Sequence, residues 1–412
     1  MDKNTIIGFV LIAAVLFGYS WFTKPTPEQL QELQRRNDSI AQVEQKKLEE
    51  IQQSQMVAGN ADSTITVLNE DSLRQVQMKE AFGIFSDFTT GENEKINLKN
   101  DLVSLSFSSK GGALTEATLN KYKTHDSLPL TLFDEKDNEY GFIFKTGGRI
   151  VNTTDLFFKP IAGKDGKSVT MRLDFGNGKF FDLVYTLPED SYMVKMDIRQ
   201  KGMETILPGN TASLDLFWNQ NLRSQEKGRM FEERNSALYY KFVGSDVDHL
   251  SESKDEQETI SLGLKWIGYK NQFFSSALIP DGKFNGALIR SGMNNDPAYL
   301  KNFHTETTVD YNPADNNGPG FRFYLGPNLY PLLHSYDKGV DDDKALDLDK
   351  LVPLGFKFLR WINTWIIIPI FTFLGKYIAN YGIIILLMTI IIKIFLAPLT
   401  FKSYMSSARM RV

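Results

Sequence analysis

Side chains suited to chemistry are sparse in this sequence. The four histidines, His125, His249, His304 and His334, stand far apart and in no zinc-ligand spacing. There is no cysteine, which excludes thiolate metal sites, cysteine nucleophiles, structural disulfides and a lipid-modified amino-terminal cysteine. Carboxylates are plentiful, yet at this charge content any pairing of them for acid and base work would be arbitrary. Asp337, Asp341, Asp342, Asp343, Asp347 and Asp349 crowd one segment without the Gly and terminal Glu spacing of an EF-hand loop, so the segment reads as a solvated linker. Trp266, Phe273, Phe274 and Ile279 could line a ligand groove, but aromatics at strand spacing read more simply as core. These residues predict no catalytic centre, no metal and no cofactor. A net charge of -4 and a pI near 5.8 supply no basic field for phosphate backbones, and neither a Walker loop nor an aromatic RNA-binding strand is present. Nucleic acid is not an expected direct partner.

One charged residue stands out by its surroundings. Lys393 lies in MTIIIKIFLAPLT, inside an otherwise apolar run. A lysine at the centre of a membrane helix costs about 2.5 to 3.5 kcal/mol on insertion scales. Two readings account for it. Its stem could carry the amine to the headgroups, about 9 Å away by helical rise. Alternatively it faces a hydrated cavity between helices and offers a cation to acidic groups passing through.

The elements that would position this lysine are at the chain's two ends. From Ile6 to Phe22 there is no charge, and the run spans roughly 25 Å at helical rise, close to the ~30 Å hydrocarbon core. Tyr19 and Trp21 mark its far end, and no small-x-small cleavage site follows before Lys24, so it reads as an uncleaved anchor. Near the other end, Trp361 to Ile378 and Tyr381 to Leu399 are apolar runs separated by Ala379 and Asn380. Lys402, Arg409 and Arg411 place the following residues in the cytoplasm, and Lys3 places the amino terminus there too. Two cytoplasmic ends require an even number of crossings, so one late run spans; the second is the cleaner, because the first holds Pro369, Gly375 and Lys376. Leu351 to Trp365, with Pro353 at a possible helix start, Lys357 and Arg360 on one face and two tryptophans, reads as a helix in the interface.

Between the membrane segments the period changes. Glu28 to Gln53 has apolar positions at roughly helical spacing and reads as a stalk, followed from Ser54 to about Glu80 by a polar tether. Beyond Ala81, Tyr192, Val194, Met196 and Ile198 alternate with polar residues, and Val103, Leu105 and Phe107 alternate with serines, as half-buried strands require. Gly176-Asn177-Gly178 and Pro280-Asp281-Gly282 each separate two such runs and read as hairpin turns. A helix is expected around Ser224 to Tyr240. The fold class is therefore mainly β, a large antiparallel sandwich outside the cytoplasm with α-helical transmembrane segments.

The stretch NYGIIILLMTIIIKIFLAPLTFKSYMSSARMR, from Asn380, resembles the first core span of YidC membrane protein insertases. LVSLSFSSKGGALTEATLNKYKT, WIGYKNQFFSSALIP and FYLGPNLYPLL resemble the beginning, middle and end of that family's periplasmic domain. The amino-terminal anchor is similar to that of the Gram-negative members. The resemblance implies a periplasmic β-supersandwich similar to sugar mutarotases but without their activity, and an interfacial helix from about Leu351. It implies an inner-membrane, multi-pass protein with a cytoplasmic amino terminus that assists insertion and folding of membrane proteins, alone or with the Sec translocon, with no bond made or broken. Lys393 falls where the family places its positive groove residue, usually arginine, and lysine lacks the guanidinium fork. The implied partners are nascent membrane proteins, the lipid bilayer, the Sec translocon and the ribosome. The family core has several spans, of which this sequence contains the first, so a truncated sequence is expected.

The expected organisation is an anchor over 1–23, a stalk and tether over 24–80, the β domain over 81–345, the interfacial helix and membrane entry over 346–378, a span over 379–400 and a cytoplasmic loop from 401. Two rival readings are a membrane-anchored carbohydrate-binding or sugar-modifying sandwich, since architecture alone does not fix function, and a structural tether acting through the stalk.

Overall fold

The computed structural model describes residues 70–355 and 357–409; the expected anchor and nearly all of the expected stalk lie outside the described residues. The alternating runs become strands of two antiparallel sheets. The smaller has the order β1 (Lys95–Lys99), β2 (Val103–Ser108), β3 (Ala113–Lys123), β4 (Pro129–Phe133). The larger has fifteen strands, with β5 (Asn138–Thr146) and β11 (Ser213–Arg223) toward one side and β10 (Met193–Lys201), β9 (Lys179–Thr186) and β8 (Ser168–Gly176) toward the other. Its middle holds β18 (Tyr299–Asp310), β17 (Phe284–Met293), β15 (Leu264–Lys270), β16 (Phe274–Pro280) and β19 (Asn317–Pro327) in that order.

The large sheet folds over on itself. Tyr140 and Phe142 of β5 pack their rings on Phe323 and Phe321 of β19 at 5.2 and 5.7 Å, although five strands separate β5 from β19 within the sheet. Burial of these inward rings supplies the dominant favourable term. The smaller sheet joins the same core through Phe107, 4.6 Å from the Tyr185 ring. Tyr185 donates its hydroxyl to the Gly112 carbonyl at 2.9 Å, while the Leu114 amide donates to Tyr140. Gly112 is required there: its φ is +61°, and a Cβ would lie 2.8 Å from the Phe158 ring.

Several expectations need correction. Gly176-Asn177-Gly178 does close a hairpin, all three residues having positive φ and Gly176 pairing with Lys179. Pro280-Asp281-Gly282 does not. The true hairpin turn is Asn271 to Phe273, which pairs β15 with β16, and the other edge of β16 is taken by β19. The chain therefore crosses from β16 past β15 before β17 begins, touching β15 at the single pair Leu264 and Phe284. The helix expected over Ser224 to Tyr240 shrinks to the six residues Arg229–Arg234, because Ala237, Leu238, Tyr239 and Tyr240 are buried on both faces of strand β12 (Ala237–Phe242). The tether expected to reach Glu80 contains a helix, α1 (Glu70–Phe82), and the Glu80 carbonyl accepts Arg149 Nε. α2 is the helix Arg229–Arg234.

The acidic segment is not a solvated linker. After α3 (Tyr330–Ser335) the chain folds back on the sheet, and Asp337 accepts the Leu346 and Asp347 amides at 2.5 and 2.6 Å. Leu346, Leu348 and Leu351 enter the core, so the β domain's packing continues past residue 345. Pro353 does not start the following helix. Gly355 takes a positive φ, and α4 (Lys357–Ile362) begins beyond it. A π turn over Asn363–Ile367 leads into α5 (Ile368–Gly375). Pro369 explains the wide turn, since its ring collides with the carbonyl four residues back and offers no amide to it. The last helix, α6 (Tyr381–Arg409), starts under an Asn380 cap whose side-chain oxygen accepts the Gly382 amide at 2.9 Å.

Candidate functional site

α6 has 29 residues, roughly 43 Å at helical rise, and among the described residues most of its apolar surface is uncovered, Ile384 being the buried exception. Ile385, Leu386, Ile394 and Phe395 are 60 to 79 % exposed. Together with Phe358–Gly375, the helix is long and apolar enough to cross a bilayer. Its two threonine hydroxyls are satisfied within the helix, as a lipid environment demands: Thr389 donates to the Ile385 carbonyl at 2.8 Å and Thr400 to Leu396 at 3.1 Å. Pro398 sits inside the helix and leaves the Ile394 carbonyl without its helical amide partner.

Lys393 lies on this helix, exposed, twelve residues after Tyr381 and about 18 Å along the axis from it. Among the described residues no carboxylate pairs with it. It is a cation with no described partner at the thirteenth of the eighteen residues of the apolar window Tyr381–Pro398, nine residues before Lys402. The site can attract and orient an anion; Lys393 alone makes and breaks nothing.

Close to the β domain, α6 and the preceding helix meet again. The Tyr381 ring stacks on Phe371 at 6.0 Å and 7°. Burial raises the Tyr122 phenol above its ordinary value, and the nearby Tyr381 acts in the same direction. Tyr122 also packs edge-on against Phe274 at 5.1 Å. So the segment 357–375 leaves the core soon after Leu351 and packs its end, through Phe371, against Tyr381 of α6, with Phe358, Trp361, Trp365 and Phe373 exposed along its length.

The remaining sequence candidates do not converge. His125 is bonded to the Gln225 carbonyl, His249 to that of Leu250, His304 to Asn219 and Glu306, and His334 lies 3.7 Å from Asp349. Among the described residues Asp337, Asp347 and Asp349 form a close carboxylate group. Sequence spacing missed it because the chain's return fold creates it. Its charge is already engaged: Asp347 meets Lys241 and Lys350, and Asp337 holds two backbone amides. Trp266, Phe274 and Ile279 are core, whereas Phe273 is exposed on the β15 to β16 turn. A cleft of about 560 Å³ between the sheets is lined by Asn138, Glu139, Asn219 and Gln220 among others. Its one aromatic lining residue, Tyr140, is buried and hydroxyl-bonded, so it offers no ring face on which a sugar could stack.

With this geometry in view, comparison with known proteins is informative. Residues 95–372 match a family model described as the YidC periplasmic domain. A membrane protein insertase YidC of Parabacteroides distasonis is 47 % identical over 413 residues, covering all of this chain and 65 % of that protein. One of Porphyromonas gingivalis is 38 % identical over 421 residues, with the same coverage. The chain thus spans about 65 % of the length of the curated relatives it matches. The crystal structure of YidC from Thermotoga maritima aligns over 76 % of this chain and 71 % of its own at 15 % identity, with a TM-score of 0.35.

Proposed function

This chain belongs to the YidC family of membrane protein insertases, and on that premise we propose that the complete protein carries acidic or polar segments of client proteins into the inner membrane past Lys393. The observation that carries this reading is the Lys393 cation, with no ion-pair partner among the described residues, inside the otherwise apolar run Tyr381 to Leu399 of α6. A hydrated groove lined on one side by α6 would shorten the hydrophobic distance a polar segment must cross. Lys393 attracts the segment's carboxylates, and release follows as the client's apolar stretch partitions into lipid at about 25 cal/mol per Å² buried. No covalent step is needed.

The exposed Trp361 and Trp365, with Phe371 stacked on the first turn of α6, support the 357–375 segment's lying along the membrane surface, with α6 as the span that leaves the domain. In that arrangement the β domain is periplasmic and Lys402 faces the cytoplasm. Nascent membrane proteins are the clients, and the Sec translocon and the ribosome are the partners that would deliver them.

The test uses the full-length protein in a reconstituted insertion assay. Lys393→Ala should reduce insertion of clients with acidic tails several-fold and leave those with uncharged tails near wild type, while Lys393→Arg should retain activity. Equal activity of all three proteins toward acidic tails would remove Lys393 from the mechanism.

A further inference from the structure

The end of the β domain beside Tyr381 carries large apolar side chains on four separate turns. Leu128 lies between β3 and β4, Met230 and Phe231 on α2, Phe273 between β15 and β16, and Leu329 just before α3. Their exposures are 58, 69, 65, 49 and 48 %. Scattered exposed apolar residues need no explanation, but several on converging loop tips do.

Hydrogen bonds tie the four turns into one surface. Glu232 of α2, fully buried, accepts the Gln225 amide at 3.0 Å and Asn271 Nδ2 at 2.9 Å. The Gln225 carbonyl in turn accepts the His125 amide of the β3 to β4 turn at 3.1 Å, and the Phe273 carbonyl accepts the Asn328 amide at 2.7 Å. Next along the chain from Phe273, Phe274 packs on Tyr122, whose phenol is near Tyr381. The tips therefore belong to the end of the domain that meets the first turn of the membrane helix.

Charge around the tips has one dominant sign. Lys121, Lys123, Lys227 and Arg234 are exposed and make no ion pair among the described residues. Of the nearby acids, Glu233 pairs with Arg229, while Asp126 accepts the Thr124 hydroxyl, which lowers its pKa and keeps it an anion. Burial, with Glu232 beside it, raises the Glu226 carboxyl above its ordinary value. Apolar tips within a rim of free cations fit an anionic lipid surface, where each basic residue contributes about 1 kcal/mol.

We propose that this end of the β domain docks on the outer face of the membrane, inserting Leu128, Met230, Phe231, Phe273 and Leu329 at headgroup level. The proposal rests on α6 being a membrane span, and it adds a second, peripheral attachment that fixes the domain's tilt over the groove.

Residues 1–412 contain no cysteine, so the test needs replacement only of any cysteine in the rest of the full-length protein. Single variants Phe231→Cys, Leu329→Cys, Asn177→Cys and Ile394→Cys of the full-length protein are spin-labelled in vesicles of phosphatidylethanolamine and phosphatidylglycerol. Collisions with dissolved oxygen and with a water-soluble nickel chelate then report depth. Strand register puts Asn177 at the opposite end, since Phe180 pairs with Lys201 and Arg199 with Asn317, far from Pro327. Labels at 231 and 329 should be protected from nickel several-fold relative to 177, with 394 protected further. Nickel access at 231 and 329 equal to that at 177, with 394 still in lipid, overturns the docking and spares the span. Aqueous access at 394 overturns both.

Discussion

The indole of Trp266 donates to the carbonyl oxygen of Leu346 at 2.6 Å, joining the centre of the large sheet to the segment that leads toward the membrane helices. Both groups are buried, so neither has water as an alternative. Trp266→Phe leaves the Leu346 carbonyl unsatisfied, costing about 1–3 kcal/mol, and adds a cavity penalty of similar order. The variant should unfold at lower denaturant concentration. Proteolysis should open first between Asp341 and Leu351, because Leu348 and Leu351 hold that return only through packing. Cleavage there at the wild-type rate would mean that the polar contacts of Asp337 and Asp347 secure it without the indole.

Lys270 makes stability depend on pH in a direction opposite to most surface lysines. Burial lowers its amine from 10.5 to about 8, with Glu252 opposing and Lys301 reinforcing the shift, while its Nζ donates to the Asn235 carbonyl at 2.5 Å. Between about 8 and 10.5 the unfolded chain binds the proton and the folded one does not, so stability rises as pH rises through that window. Below about 8 both states are protonated and the folded state bears the full cost, on the order of 3 kcal/mol. Denaturation midpoints should therefore climb from pH 8 toward pH 10, and Lys270→Met should flatten the climb. Above that range the buried phenols work the other way: burial raises Tyr239, Tyr269 and Tyr311, and their contribution is lost as they ionise. An unchanged slope in Lys270→Met would assign the effect to other groups.

Local period carried much of the fold into view, and long-range pairing did not. Val194, Met196 and Ile198 announce their strand because one face is buried and the other wet. Gly176-Asn177-Gly178 announces its hairpin because the turn's backbone and its neighbours decide the pairing. Pro280-Asp281-Gly282 carries the same local signal, but its outcome depended on β19, far later in the chain, occupying the edge of β16. The burial of Ala237 to Tyr240 on both faces erased the alternation that would have marked β12. For the aspartates the missing information was spatial: Lys241 reaches Asp347 from over a hundred residues away. Lys393 was visible as a charge in an apolar run, and the structure adds that it has no partner among the described residues.

The distance between Tyr381 and Tyr122 in the membrane would discriminate between two paths for the 357–375 segment. A helix of this length crossing the bilayer would deliver its end roughly 30 Å from where it entered, on the side away from the β domain. A helix lying in the interface returns its end to the domain's own surface, where Trp361 and Trp365 favour headgroup depth. Residues 1–412 contain no cysteine, so once any cysteine in the rest of the full-length protein is replaced, Tyr122→Cys with Tyr381→Cys gives an unambiguous pair. A short bifunctional maleimide should join them in membranes in high yield, and a Tyr122→Cys, Lys402→Cys pair, separated by the length of α6, should not react. Failure of the first pair with each cysteine individually reactive would put Tyr381 on the opposite side of the membrane and make both late helices spans.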